Sequence, residues 1–249
     1  MRLRRLELNG GRVKEGPKWC LTLPPVTNGY ADAQIDDYGQ VRGGRRNYPW
    51  LPGTKMRLRA RFSHPKHQLQ GTAGFGFWNA PFGDPTIRWP ALPQAVWFFF
   101  GSSPTDLPLA HSGPGRGWFV STLDSSRGSA LAIIPLAPAV LLLNQVTRCR
   151  RKIWPRVQDR LGISFHPLDF PMDEWHNYQI SWMVGGSSFE VDGEKVFETG
   201  CSPQGPLGFV CWIDNQFLVA TEAGCFRWGT LSTTETQELE VDNLFIEQS

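Results

Sequence analysis

The segment Trp212-Ile213-Asp214-Asn215-Gln216-Phe217 puts a carboxylate, two amides and two aromatic rings into six consecutive positions. A carboxylate exchanges protons, and side-chain amides pair with hydroxyls as donor and acceptor at once. Glu222 follows in an apparent loop and offers a second carboxylate. His176, beside Trp175 and ahead of a strand pattern, can act as a base near neutral pH. Asp214, Glu222 and His176 are therefore the candidate acid/base set. Each has a plainer role open to it: an Asx turn closing a strand, a solvated loop acid, and a packing histidine respectively. Trp78, Trp97, Trp118 and Trp212 all fall in strand patterns. An indole on a sheet stacks on the C–H face of a sugar or on a polyene and donates its N–H, the alternative being packing between sheets. Asn79, ending Gly-Phe-Gly-Phe-Trp-Asn, is a candidate hydrogen-bonding contact beside them. His64 and His67 share a metal only if the chain folds them together.

Other chemistries lack their residues. There is no GxSxG elbow, no phosphate-cradling glycine loop and no metal-spaced Cys/His set. Five cysteines without a CxxC pair argue against a disulfide framework and against structural zinc. A net charge of +2 gives no global attraction for polyanions. The basic run Arg148–Arg160 carries a single aromatic, Trp154, so nucleic acid is not an expected partner and a solvated helix face is the better reading. No apolar stretch at the N-terminus is long enough for a signal peptide, which makes a cytoplasmic protein the expectation.

The elements that must position these residues are short strands. In Lys55–Phe62, Arg57, Arg59 and Arg61 share one face while Met56, Leu58, Ala60 and Phe62 share the other, as in a half-buried strand. Tyr30–Asp37 sets Ala31, Ala33 and Ile35 against Tyr30, Asp32, Gln34 and Asp36. Further strands are predicted over 72–79, 95–101, 118–123, 178–183, 188–191, 195–198, 207–214 and 239–247, with Asp192-Gly193 as a hairpin turn. With 26 Gly and 20 Pro to reverse the chain, the expectation is an all-β sandwich or jelly roll, one domain over 1–249.

One stretch departs from this. Ala130–Leu143 is wholly apolar or proline and runs into the basic segment. It is too short to span a bilayer, and Pro135 and Pro138 interrupt any helix through it. A helical insertion is expected over 128–165, with helix from Ala139 to Leu161 and Gly162 ending it. Three roles remain open for it: packing on the sandwich, a lid over a ligand groove, or contact with an anionic membrane surface through 130–160.

The run Trp175–Thr199, WHNYQISWMVGGSSFEVDGEKVFET, resembles paired central strands of glycoside hydrolase family 16, the laminarinases and lichenases of the concanavalin-A-like superfamily. Gly71–Gly83 resembles the preceding strand and Val241–Glu247 the closing one. The resemblance implies a concanavalin-A-like jelly roll with a concave groove, lined in part by the strand of Trp212. It also implies a structural role for His176 and a structural calcium held in part by Asp242, with no other cofactor. That family works through a strand reading ExDxxE, whose two catalytic carboxyls stand about 5–5.5 Å apart. The corresponding segment here, Trp89–Ser103, has no Asp or Glu. Gln94 stands in their place, and an amide neither attacks an anomeric carbon nor donates an acidic proton. The family's retaining mechanism is therefore excluded. What remains is binding of a glycan or another small molecule along the aromatic groove by Trp78, Asn79, Gln94, Trp97, Trp118, Trp212, Asn215 and Gln216. The alternatives are a cyclase, isomerase, lyase or hydrolase of another kind under a lid, and a membrane-surface protein.

Overall fold

A computed structural model describes residues 2–82, 87–89, 91–110 and 113–249. Gly83, which ends one segment of the sequence reading, and Pro90, within another, lie outside the described residues. The strands are β1 (Arg4–Leu8), β2 (Arg12–Lys14), β3 (Trp19–Leu23), β4 (Asp32–Asp36), β5 (Val41–Arg42), β6 (Arg45–Arg46), β7 (Thr54–Phe62), β8 (Thr72–Trp78), β9 (Gln94–Gly101) and β10 (Gly117–Asp124). Helices α1 (Gly128–Leu131), α2 (Ala137–Asn144) and α3 (Thr147–Arg160) follow. The chain continues through β11 (Ser164–Pro167), β12 (His176–Met183), β13 (Gly186–Val191), β14 (Glu194–Thr199), β15 (Gly208–Asp214), β16 (Gln216–Ala220), β17 (Phe226–Thr230) and β18 (Gln237–Gln248).

Two seven-stranded antiparallel sheets result, ordered β1-β4-β15-β8-β9-β10-β11 and β14-β13-β12-β7-β18-β3-β2. They pack face to face as the jelly-roll sandwich that the alternation predicts. On β7, Met56, Leu58, Ala60 and Phe62 are buried while Arg57 is exposed and Arg59 and Arg61 half-exposed, as their spacing requires. Asp192 and Gly193 both take positive φ (52° and 85°), the conformation of a two-residue hairpin turn. Between the sheets, Phe62, Phe75, Phe98, Trp118, Tyr178 and Phe189 form a continuous ring network. Trp118 corrects one expectation: it is a core residue, 2% exposed, with its ring 5.4 Å from Phe62 and 5.9 Å from Phe98. Register explains this, because residues 118, 120 and 122 of β10 share the parity that points between the sheets.

The insertion is helical, with its helices over 128–160 and an edge strand, β11, paired to β10 after them. The continuous helix expected from Ala139 is two helices, broken at Gln145-Val146. Pro138 sits in the first turn of α2, where it needs no N–H partner, and Gly162 takes φ +59° beyond α3. No helix among the described residues is long and apolar enough to cross a membrane.

Candidate functional site

The first sheet has an outer face opposite the core, and pairing register assigns its residues. Cross-strand rows run Asp36–Val210–Gly76–Trp97–Ser121, then Gln34–Trp212–Gly74–Phe99–Phe119, then Asp32–Asp214–Thr72–Gly101. Trp97 and Trp212 thus fall on the predicted face, with ring centroids 5.9 Å apart, and Trp78 lies 4.9 Å from Trp97. Gly74 makes room for this: a Cβ there would meet the Trp212 ring at 3.0 Å. The face is not an open groove. Trp97, Phe99 and Trp212 are each 7–8% exposed, beneath Leu107, Leu109, Leu161, Ile163 and Tyr38. Gln158 of α3, fully buried, donates from Nε2 to the carbonyls of Pro108, Leu109 and Ala110 at 3.0–3.2 Å. One amide thereby ties the helix to the loop that covers the rings.

At one end of this face lies a buried acid pair. Asp214 and Asp32 are cross-strand partners, and the Tyr30 hydroxyl donates to Asp214 Oδ2 at 3.3 Å. Asp214 Oδ1 accepts from the Thr72 hydroxyl (2.8 Å), the Thr72 N–H (3.2 Å) and the Gln216 N–H (3.0 Å). Burial pushes the Asp214 carboxyl up to about 6, with the hydrogen bonds opposing it. Asp32 is raised well above the usual carboxylate range, by burial first and by the Asp214 charge second. Its Oδ1 has no hydrogen-bond partner among the described residues. The sequence reading singled out Asp214 and passed over Asp32. Its signal was present, since Asp32 shares the parity of Tyr30 and lies opposite Ala31 and Ala33.

At the other end lies a cleft of about 590 Å³ lined by Gln40, Arg42, Arg45, Arg46 and Asn47. Gly43 and Gly44, both at positive φ, turn β5 into β6 and set Arg42 and Arg45 on either side of the turn. Tyr38 forms the cleft's aromatic neighbour, with the Arg46 guanidinium 5.7 Å and the Arg4 guanidinium 5.6 Å from its ring centre. Tyr38 and Tyr48, edge-on at 5.4 Å, continue the aromatic tract of Trp78 and Trp97. Sequence reasoning missed this cleft, although Arg-Gly-Gly-Arg is itself a turn signal between cations.

The other predicted site residues hold the scaffold together. Gln94 accepts from the Gly205 N–H at 3.0 Å, and its own N–H donates to Asn79 Oδ1. Asn79 Nδ2 donates to the Leu92 carbonyl at 2.8 Å. Asn215, fully buried, accepts from the Ala31 N–H and donates to the carbonyls of Gly29 and Leu231. It is a strand-end clamp rather than a rim contact. Gln216 opens β16, where its N–H is held by Asp214. The acid/base set is not assembled: Glu222 sits at the β16–β17 hairpin tip, paired with Arg150 at 3.1 Å. His176 is on the second sheet, its Nδ1 against Asp192 (2.6 Å) and its Nε2 against the Pro171 carbonyl (3.0 Å). Asp242 faces Arg59 across the second sheet, its Oδ2 3.6 Å from the guanidinium, and its Oδ1 has no hydrogen-bond partner among the described residues. No group of three His, Cys, Asp or Glu among the described residues has metal-site spacing. His64 and His67 do line one cleft of about 280 Å³, with Glu235 against His64 at 3.1 Å.

No protein-family model matches the chain, and no curated protein matches it in sequence. Among solved structures it is similar to the endo-β-1,4-glucuronan lyase of the fungus Trichoderma reesei, at 12% identity over 99% of this chain and 90% of that one, TM-score 0.48. It is similar also to a GlcNAcα1-4Gal-releasing endo-β-galactosidase from Clostridium perfringens, at 12% identity over 93% and 54%, TM-score 0.48. A third is an immunostimulatory antigen and pseudo-β-1,3-glucanase of Mycobacterium tuberculosis, at 12% identity over 92% and 75%, TM-score 0.49. At identities this low, no activity carries over from any of the three.

Proposed function

We propose that the chain is a binding protein for an anionic, polyhydroxylated ligand, an acidic saccharide, taken in the cleft of Gln40, Arg42, Arg45, Arg46 and Asn47. The observation that carries this reading is the cleft itself, which sets arginine forks beside amides at the end of an aromatic tract. Guanidinium groups pair with carboxylates in planar, two-pronged fashion, and the amides of Gln40 and Asn47 suit hydroxyls. About 590 Å³ is within the size range of a small-molecule site. The covered tryptophans then serve as the floor that fixes Tyr38 and Tyr48, not as the stacking surface. Calorimetric titration with an oligouronate and a neutral oligosaccharide of equal length tests it. Binding is expected for the acidic ligand alone, weakening with salt. Arg42→Ala and Arg45→Ala, both on the exposed hairpin, should each reduce affinity on the order of tenfold. Equal affinity for both ligands, or for neither, rejects the reading.

A second reading, acid/base catalysis, is supported by the Asp32–Asp214 pair, which has one saturated carboxyl and one with a bare oxygen. The pair is buried, at 2% and 5% exposure, and the covered rings separate it from the cleft, so this reading needs a substrate that enters at the acid end of the face. Wild-type protein would then release product from an acidic polysaccharide, and Asp32→Asn would stop release while leaving binding intact. A complete absence of product from the wild type removes this reading.

A further inference from the structure

Helix α2 is inside out. Its one polar residue, Asn144, is fully buried, while Leu141, Leu142 and Leu143 face solvent, Leu142 at 73% exposure. A helix apolar on all sides normally lies within a core. The β16–β17 hairpin has the same character: Phe226 and Trp228 share one parity of β17 and are 67% and 70% exposed. The two features are joined, because the buried Asn144 and the exposed Gln145 just past the helix tie its C-terminal end to the hairpin tip. Asn144 Nδ2 donates to the Glu222 carbonyl at 2.8 Å, and Gln145 Nε2 donates to the Ala223 carbonyl at 2.6 Å. Beside the patch, α3 presents Arg148, Arg151, Lys152 and Arg156 to solvent, with Asp159 its only acid.

We propose that this patch docks the protein on an anionic membrane surface. Leu142, Phe226 and Trp228 enter the headgroup boundary, and the cations of α3 lie against lipid phosphates and carboxylates. The eight residues of α2 are too few to cross a bilayer, so the contact is peripheral. Charge selects this occupant over a second copy of the chain. A two-fold dimer through the patch would bring each basic helix beside its symmetry mate, and the hairpin's acid, Glu222, is already paired with Arg150. A saccharide, for its part, has no use for exposed leucines.

Co-sedimentation of the full chain with phosphatidylcholine vesicles, with and without phosphatidylserine, tests this. The expected result is salt-sensitive binding to the mixed vesicles, stronger than to phosphatidylcholine alone on the order of tenfold or more. Leu142→Ser and Trp228→Ser should each weaken binding to the mixed vesicles, and the pair Arg151→Glu with Lys152→Glu should erase the preference for anionic lipid. All three sit on exposed positions, so unchanged melting curves should accompany these losses. No binding to either vesicle overturns the proposal, as does binding that the variants leave untouched. Concentration-dependent dimerisation lost in Leu142→Ser, without lipid binding, would assign the patch to a second copy instead.

Discussion

The two sheets turn outer faces of opposite character away from the shared core. On the second sheet the outward residues include Arg57, Arg59, Arg61, Gln179 and Ser181, and they remain at least partly in water. On the first sheet they include Val210, Trp212, Trp97, Phe99 and Phe119, and a further layer of loop and insertion closes over them. Both follow the same period-two alternation. The polarity of the outward set decides whether a sheet ends the fold or becomes a platform for more of it, since each large ring left in water forfeits about 25 cal/mol per Å². The covered face is therefore a second, smaller core, with the arginine-lined cleft at one end and the buried Asp32–Asp214 pair at the other.

If that contrast is right, truncation should hurt most between the sheets. Trp118→Ala is expected to cost about 3–5 kcal/mol in denaturant unfolding, since its ring meets those of Phe62, Phe75, Phe98 and Tyr178. Trp97→Ala should cost about 2–3 kcal/mol, less because Trp97 keeps 8% exposure where Trp118 keeps 2%. A negligible loss there would mean that the outer face is open after all.

Gln158→Ala sharpens the same contrast by leaving three carbonyls, one of them buried, without their donor. A loss of about 1–2 kcal/mol is expected, together with greater acrylamide quenching of tryptophan fluorescence as the loop over Trp97 loosens. Unchanged quenching would show that the aromatic layer is held by its own packing.

Titration reaches acids beyond the rings: Asp214, paired with Asp32 at the start of β4, and Asp37 just past its end, which accepts from the Trp50 indole N–H at 2.6 Å. Asp214 and Asp37 are each pushed up to about 6, in both cases by burial first, from an ordinary 3.8. The folded chain therefore holds these protons where the unfolded chain has released them. Their stabilising contribution is complete below about pH 4 and is lost as pH rises through about 6. Asp214→Asn, which keeps the Oδ1 acceptor for Thr72 and Gln216, should flatten that decline in urea-unfolding stability. An unaltered slope would place the titration elsewhere. The smallest effect belongs to the solvated face: Arg57→Ala should change stability by less than about 0.5 kcal/mol in the same assay, and a larger loss would deny that this face is merely wetted.

Much of the architecture can be read directly from residues. Lys55–Phe62 declares both its faces, Asp192-Gly193 declares its turn, and Trp89–Ser103 shows at once that it carries no Asp or Glu. The edge strands β1, β2 and β11 escape such reading, being short and, for β1, exposed on every residue. The site was less legible. Trp97, Trp118 and Trp212 carry identical chemistry, and parity alone sends one between the sheets and two to the outer face. Asn215 looks like a ligand contact until three backbone groups from Gly29, Ala31 and Leu231 are brought to it.

By itself the sequence determined most of the long strands, the two faces of Lys55–Phe62, the helical insertion and the lack of Asp and Glu in Trp89–Ser103, because alternation, turn chemistry and residue type are local properties of the chain. Only the tertiary structure decided that the aromatic face is covered, that Asp32 meets Asp214, and that α2 shows its leucines to solvent. Burial and pairing depend on which distant segment lies across a given residue, and spacing along the chain does not encode that.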